Sequence, residues 1–208
     1  MRKQGTVSLD MRLKWVETDS PHSFLLMGEP VALDLVNTLV PPAYGGDLLE
    51  TPQQVDAWLL AEAERMPGAA LQAEPPLVKA LYRLRTTLHT LFAAVLDGAE
   101  PSPTVLAQVN AASRGAAVYT SLQWPAGGAP IIRLAHRPDG PAEVVIAEVA
   151  RSAISLLGGP DRQRLRRCEG PGCVLLFVAT NPHRRWCAPH LCGNRVRVAR
   201  HYRRRRGS

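Results

Sequence analysis

The sequence predicts an α+β fold, mostly α: a helical N-terminal domain with a small antiparallel β-hairpin or sheet, then a small C-terminal module held by cysteines. Three observations predict it. Apolar residues recur at helical spacing in two long stretches. Two β-prone runs flank a connection rich in Pro and Gly. All four cysteines fall in the last quarter of the 208 residues.

The first apolar stretch, Phe24 to Val40, is interrupted by Glu29, Pro30 and Asp34. It therefore reads as neither a signal core nor a membrane span. Within it, Asp34 and Asn37 stand one helical turn apart. Gln53 to Glu64, around Trp58, and Pro103 to Ala112 have the length of two shorter helices. Leu81, Leu84, Leu88, Leu91, Phe92 and Val95 line one face of a long helix that should stop near Asp97-Gly98. Ala117 to Gln123 and Ile131 to His136 read as strands joined by Pro125 to Pro130, a hairpin. Val145, Ile146, Val149, Ala153, Leu156 and Leu157 repeat the helical pattern, and Gly158-Gly159-Pro160 stops it. Residues 1–160 carry enough apolar surface for a core of their own. The expected boundary lies at 158–164, leaving 161–208 as a second unit.

Cys168, Cys173, Cys187 and Cys192 form a C-x4-C…C-x4-C set. Such pairs are disulfides or metal ligands, and with no export signal at the N-terminus a reducing cytosol favours the metal. Four thiolates close a tetrahedral shell and leave no position for water, so the expected cofactor is one structural Zn2+ per chain. Gly170, Pro171 and Gly172 turn the chain between the first two cysteines. Val174 to Val178 is β-prone, Thr180-Asn181-Pro182 is a turn, and Arg184 to Trp186 is expected to return as a second strand delivering Cys187. A helix from Pro189 to about Arg205 would carry Cys192 near its first turn, giving a treble-clef-like zinc finger. At 100° per residue, Leu191, Arg195, Val198 and Tyr202 share an inward stripe. Arg197, Arg200, His201 and Arg204 face the other way.

Charge follows the same division. Residues 161–208 hold 13 arginines and two acids, a net of +11, whereas residues 1–160 carry a net of −4. The excess cation is all arginine, whose planar fork suits phosphates and guanine edges. The expected nucleic-acid contacts are Arg184, Arg185, Arg197, Arg200, Arg203 and Arg204, with double-stranded DNA the leading partner. RNA or the ribosome, an acidic protein partner, or a merely solubilising basic tail are the competing readings. Upstream there is no Gly-rich phosphate loop, metal-spaced His pair or nucleophile motif, so no enzyme is expected. Asp34 and Asn37 are either a structural hydrogen-bonded pair or a ligand-recognition pair in a sensory pocket. His89 and His136 stand alone. His183 and His190 neighbour the cysteines, but a complete thiolate set leaves no need for them.

Cys168-x4-Cys173, Phe177, Arg185-Trp186-Cys187 and Cys192-Gly193-Asn194-Arg195, followed by a basic stretch, resemble the CGNR zinc finger. Gly28-Glu29-Pro30-Val31-Ala32-Leu33-Asp34-Leu35-Val36-Asn37-Thr38 is similar to the start of the ABATE domain that usually precedes that finger. The resemblance implies a bacterial, stress-responsive transcription regulator. The chain departs from the pattern in two places: it is about two residues shorter between Phe177 and Trp186, and Ala179 stands where an aspartate is common. The combined expectation is a cytoplasmic, nucleoid-associated regulator without a membrane partner. It would act as a homodimer and answer to a small-molecule effector.

Overall fold

The structure, a computed structural model, describes residues 15–16, 24–25, 28–41, 45–66, 73–136, 140–188, 192–194 and 196–198. Five α-helices, a 3-10 helix (Pro160–Arg164) and three two-stranded antiparallel sheets are present among them. The helices are α1 (Val31–Val36), α2 (Pro52–Glu62), α3 (Pro75–Leu96), α4 (Pro103–Arg114) and α5 (Pro141–Gly158). The strands are β1 (Trp15–Val16), β2 (Phe24–Leu25), β3 (Val118–Gln123), β4 (Ile131–His136), β5 (Leu165–Arg167) and β6 (Leu176–Val178).

The helix starts share one device. Pro opens α2, α3, α4 and α5, where its missing N–H costs nothing and its fixed φ already suits a helix. Thr51 and Gln54 add a reciprocal capping box to α2, and Ser102 caps α4. The helix expected to end near Asp97-Gly98 does so, with Asp97 as C-cap and Gly98 at φ 70°. The β1–β2 pair has no counterpart in the sequence reading, because two residues per strand give no period to detect.

The core lies among all five helices, around Leu33, Trp58, Leu88 and Phe92. All six residues of α1 are buried, including Asp34. Leu165 and Leu176, on the cysteine side of the chain, belong to this same core. Val40 in turn packs with Leu175, Phe177, Ala179 and Ala188 around the cysteines. The two halves of the chain thus exchange apolar residues across one seam. Among the described residues no helix is long and apolar enough to cross a membrane.

One expected element is corrected. β6 pairs with β5, upstream of the first cysteine, and not with residues 184–186. Its register is Leu165↔Val178, Arg166↔Phe177 and Arg167↔Leu176. The reason is visible at the other edge of β6. There Asn37 bonds both backbone groups of Leu176, Glu29 accepts from the Val178 N–H, and Arg184 donates to the Val178 carbonyl. Side chains have taken every polar group that a third strand would need.

Candidate metal centre and its basic surround

The β5–β6 hairpin brings the first two cysteines together. The Cys168 N–H donates to the Leu175 carbonyl at 2.9 Å, continuing the ladder one residue past the strands. Cys173 N–H closes a turn onto the Gly170 carbonyl at 3.0 Å, and Gly172 sits at φ 69°, a left-handed conformation that a side chain would strain. Asn181 then folds the chain back: its Oδ1 accepts from the His183 N–H and its carbonyl from the Arg184 N–H. Cys187 arrives from that turn. Cys192 lies in helical backbone, described at residues 192–194 and 196–198, and the Gly193 N–H donates to the Ala188 carbonyl.

The four Sγ atoms lie within 4.8 Å of one another, with Cys173 and Cys187 at 4.0 Å. Zinc with four sulfurs at ~2.3 Å requires sulfur pairs roughly 3.8 Å apart, so the set needs to contract by less than about 1 Å. No His, Asp or Glu joins the group among the described residues. His183 is exposed, and His190 lies outside the described residues. These four cysteines fit one structural Zn2+ of the zinc-finger type. Cys168 is the electrostatic centre of the cage. Its sulfur accepts from the Gly170 and Cys187 N–H groups at 3.4 and 3.3 Å. Hydrogen bonds from the Cys173 and Cys187 thiols, then these amides, hold it down to about 2. The Cys173 and Cys187 thiols are pushed up by their bonds to Cys168, and burial pushes Cys192 up to about 12. A dication supplies the charge that lets all four sulfurs ionise.

The arginines around the cage differ sharply. Arg184, expected as a phosphate contact, turns inward instead. Its guanidinium lies 4.4 Å from the Phe177 ring centre and pairs with Glu29 at 3.0 Å. It also donates to the carbonyls of Val178 and Cys187 at 3.0 and 2.5 Å. The physical reason is Glu29: 6% exposed, it could not remain charged without a partner. Burial still pushes its carboxyl up, against the Val178 amide and the Arg184 charge. Arg185, its neighbour, is exposed and paired with Glu169. Arg197 is exposed and donates to Asn194 at 2.8 Å. Arg200, Arg203 and Arg204 lie outside the described residues, as do Leu191, Arg195, His201 and Tyr202. Val198, expected on the inward stripe, is 53% exposed. The wide turn at Cys192-Gly193 upsets a phase counted in uniform 100° steps.

A family profile described as "Putative stress-induced transcription regulator", ABATE, matches residues 29–160. The chain belongs to the ABATE family. The CGNR zinc finger profile matches residues 164–205, so the seam described above joins the two matched segments. Both are regulator and zinc-finger types, not enzymes. Among curated proteins no match was found.

Within the ABATE segment, Asp34 and Asn37 separate. Asn37 spends its amide on Leu176, donating to the carbonyl and accepting from the N–H, both at 2.9 Å. Asp34 and Glu62, both buried, share a charge cluster with the exposed Arg65. Arg65 Nη1 lies 2.6 Å from the Asp34 carboxylate and 2.8 Å from that of Glu62, and Nη2 donates to the Glu29 carbonyl. Burial, then the Asp34 charge, pushes Glu62 up to about 8, so the two carboxyls share a proton near neutrality. Arg85 is also buried, bound to both oxygens of Asp47 and to the Thr38 hydroxyl. Sequence reasoning missed Glu29, Glu62, Arg65 and Arg85. The available signal was an acid or arginine among apolar positions of a helix, which Glu62 and Arg85 both show.

Proposed function

We propose that the protein is a DNA-binding transcription regulator whose zinc-held finger carries the DNA contacts. The observation that carries this reading is the coincidence of charge and scaffold. The net +11 of residues 161–208 sits on a module pinned by four cysteines, while residues 1–160 are net acidic. Arg185 and Arg197 are the described members of the contact set that remain exposed, and Arg200, Arg203 and Arg204 extend it. Phosphate contacts by such residues give affinity that falls steeply with salt. In this reading residues 1–160 assemble or sense, residues 161–208 bind, and the protein works in the cytoplasm on the nucleoid. A homodimer, or an effector that changes how two fingers are presented, would supply the sequence preference that one small basic module lacks.

The test is a comparison of duplex DNA, structured RNA and polyglutamate by fluorescence anisotropy at one salt concentration. DNA is expected to bind most tightly, with a slope of log affinity against log salt near −0.9 per phosphate contact. Tighter binding to RNA would move the role to RNA or the ribosome. Equal binding to polyglutamate would point to an acidic protein partner. Mapping the nucleic acid bound in cells then gives the target.

A further inference from the structure

A cavity of about 260 Å³ opens between α3 and the cysteine hairpin, and Cys168 and Cys173 form part of its wall. Three of the four cysteines are buried; Cys173 alone is partly exposed. His89 and Ala93 face the cavity from α3, and Arg167 from the end of β5. Arg167 is fixed there by Asp97 at 2.6 Å. A thiolate sulfur is a nucleophile wherever a reactant can reach it. This cage has an entrance, lined by the Asp97-paired Arg167 and by the His89 imidazole. Its volume lies just below the roughly 300–1,000 Å³ usual for organic ligands, and it readily admits a reactant as small as a peroxide.

We propose that Cys173 is a peroxide-reactive position, entered through this cavity by hydrogen peroxide. The inference rests on the four-cysteine zinc reading. The Cys173 sulfur attacks the nearer peroxide oxygen. An S–O bond forms, the O–O bond breaks, sulfur loses two electrons and hydroxide leaves. Arg167 and His89 line the same cavity, and their N–H groups are the donors it holds for the departing oxygen. Cys187, whose sulfur lies 4.0 Å from that of Cys173, then attacks the sulfenic sulfur. An S–S bond forms, the S–O bond breaks and a second hydroxide leaves. In sum, two thiolates and one peroxide give one disulfide and two hydroxides. Two of the four donors are consumed, and the cage can no longer hold its ion.

The experiment uses the full-length protein, its zinc content first measured by elemental analysis. A chain purified without zinc would overturn the metal reading itself. The zinc-loaded protein is treated with stoichiometric hydrogen peroxide and dimedone. Labelled peptides are mapped by mass spectrometry, and zinc release is followed with a chromogenic chelator. The first label is expected on Cys173, followed by a Cys173–Cys187 disulfide and zinc release. Ala93→Leu, which fills the cavity, should slow release at least about fivefold through lost access to the thiolate. Ala93→Ser, which leaves it open, should not. First labelling at Cys168, Cys187 or Cys192 overturns the proposal, as does an unchanged rate in a folded, zinc-replete Ala93→Leu protein. Should that variant fail to fold, the site of first labelling in the unaltered chain decides.

Discussion

Replacing Asn37 by Ala should loosen the whole protein, because this one side chain closes the seam between α1 and β6. Its two hydrogen bonds to Leu176, each 2.9 Å, join groups that are buried on both sides: Asn37 is 5% exposed and Leu176 6%. Alanine would leave the Leu176 N–H and carbonyl without partners. An orphaned buried polar group costs about 1–3 kcal/mol. Two of them, partly relieved by water entering the space, give an expected loss of roughly 2–5 kcal/mol, against about 5–15 kcal/mol for a typical domain. At about 2–4 °C per kcal/mol for a chain of this size, the midpoint should fall by roughly 4–20 °C. Asn37→Asp should not restore stability: it keeps an acceptor for the N–H but sets a carboxylate oxygen against the Leu176 carbonyl. Urea and thermal unfolding of the zinc-loaded protein provide the measurement. A loss below about 0.5 kcal/mol, the range of an ordinary surface substitution, would refute the structural reasoning and return Asn37 to a ligand-facing role.

Removing zinc with a chelator should unfold the cysteine module, since structural zinc contributes an apparent ~10–16 kcal/mol in finger peptides. Cys192→Ser should give protein lacking stoichiometric metal by elemental analysis, and full zinc retention would count against the cage. Arg197→Ala should lower the magnitude of the salt slope of DNA binding by about 0.9 and leave unfolding unchanged. Arg184→Ala should instead destabilise the fold by leaving Glu29 buried without its ion-pair partner, and Arg184→Lys should not rescue it, lacking the planar fork. A reversed pattern for the two arginines would refute the assignment. For Glu62 the folded carboxyl titrates at about 8 against an ordinary 4.5, so the folded state binds the extra proton. This group's stabilising contribution is complete below pH 4.5 and is lost as pH rises towards 8. Glu62→Gln should therefore flatten the fall in urea midpoint over that window, and an unchanged pH profile would discount the shared proton.

The helices were legible because their evidence is local. The leucines from Leu81 to Leu91 repeat on one face, and Gly158-Gly159-Pro160 sits just past the last periodic residue of α5. The metal centre was legible for a related reason: two C-x4-C pairs state their chemistry by residue type and spacing alone. The edges of β6 were not. Which segment pairs with that strand is decided by Asn37 and Glu29, 139 and 149 positions away in the chain. Arg184 and Arg185 make the point at the scale of one residue. They are adjacent and chemically identical, yet one anchors the interior and the other faces solvent. The difference lies in Glu29, 155 positions earlier, and no local pattern carries it.

The reciprocal seam also bears on how such a protein can be recombined. A chimaera spliced at residue 160, with a foreign finger after the cut, would empty the seats of Leu165 and Leu176 in the helical core. It would also strand Val40, Glu29 and Asn37 without their partners. The piece that must travel intact is discontinuous: residues 29–40 together with 164–192. Grafting designs that move both segments as a set should yield folded hybrids, whereas single-cut fusions should aggregate.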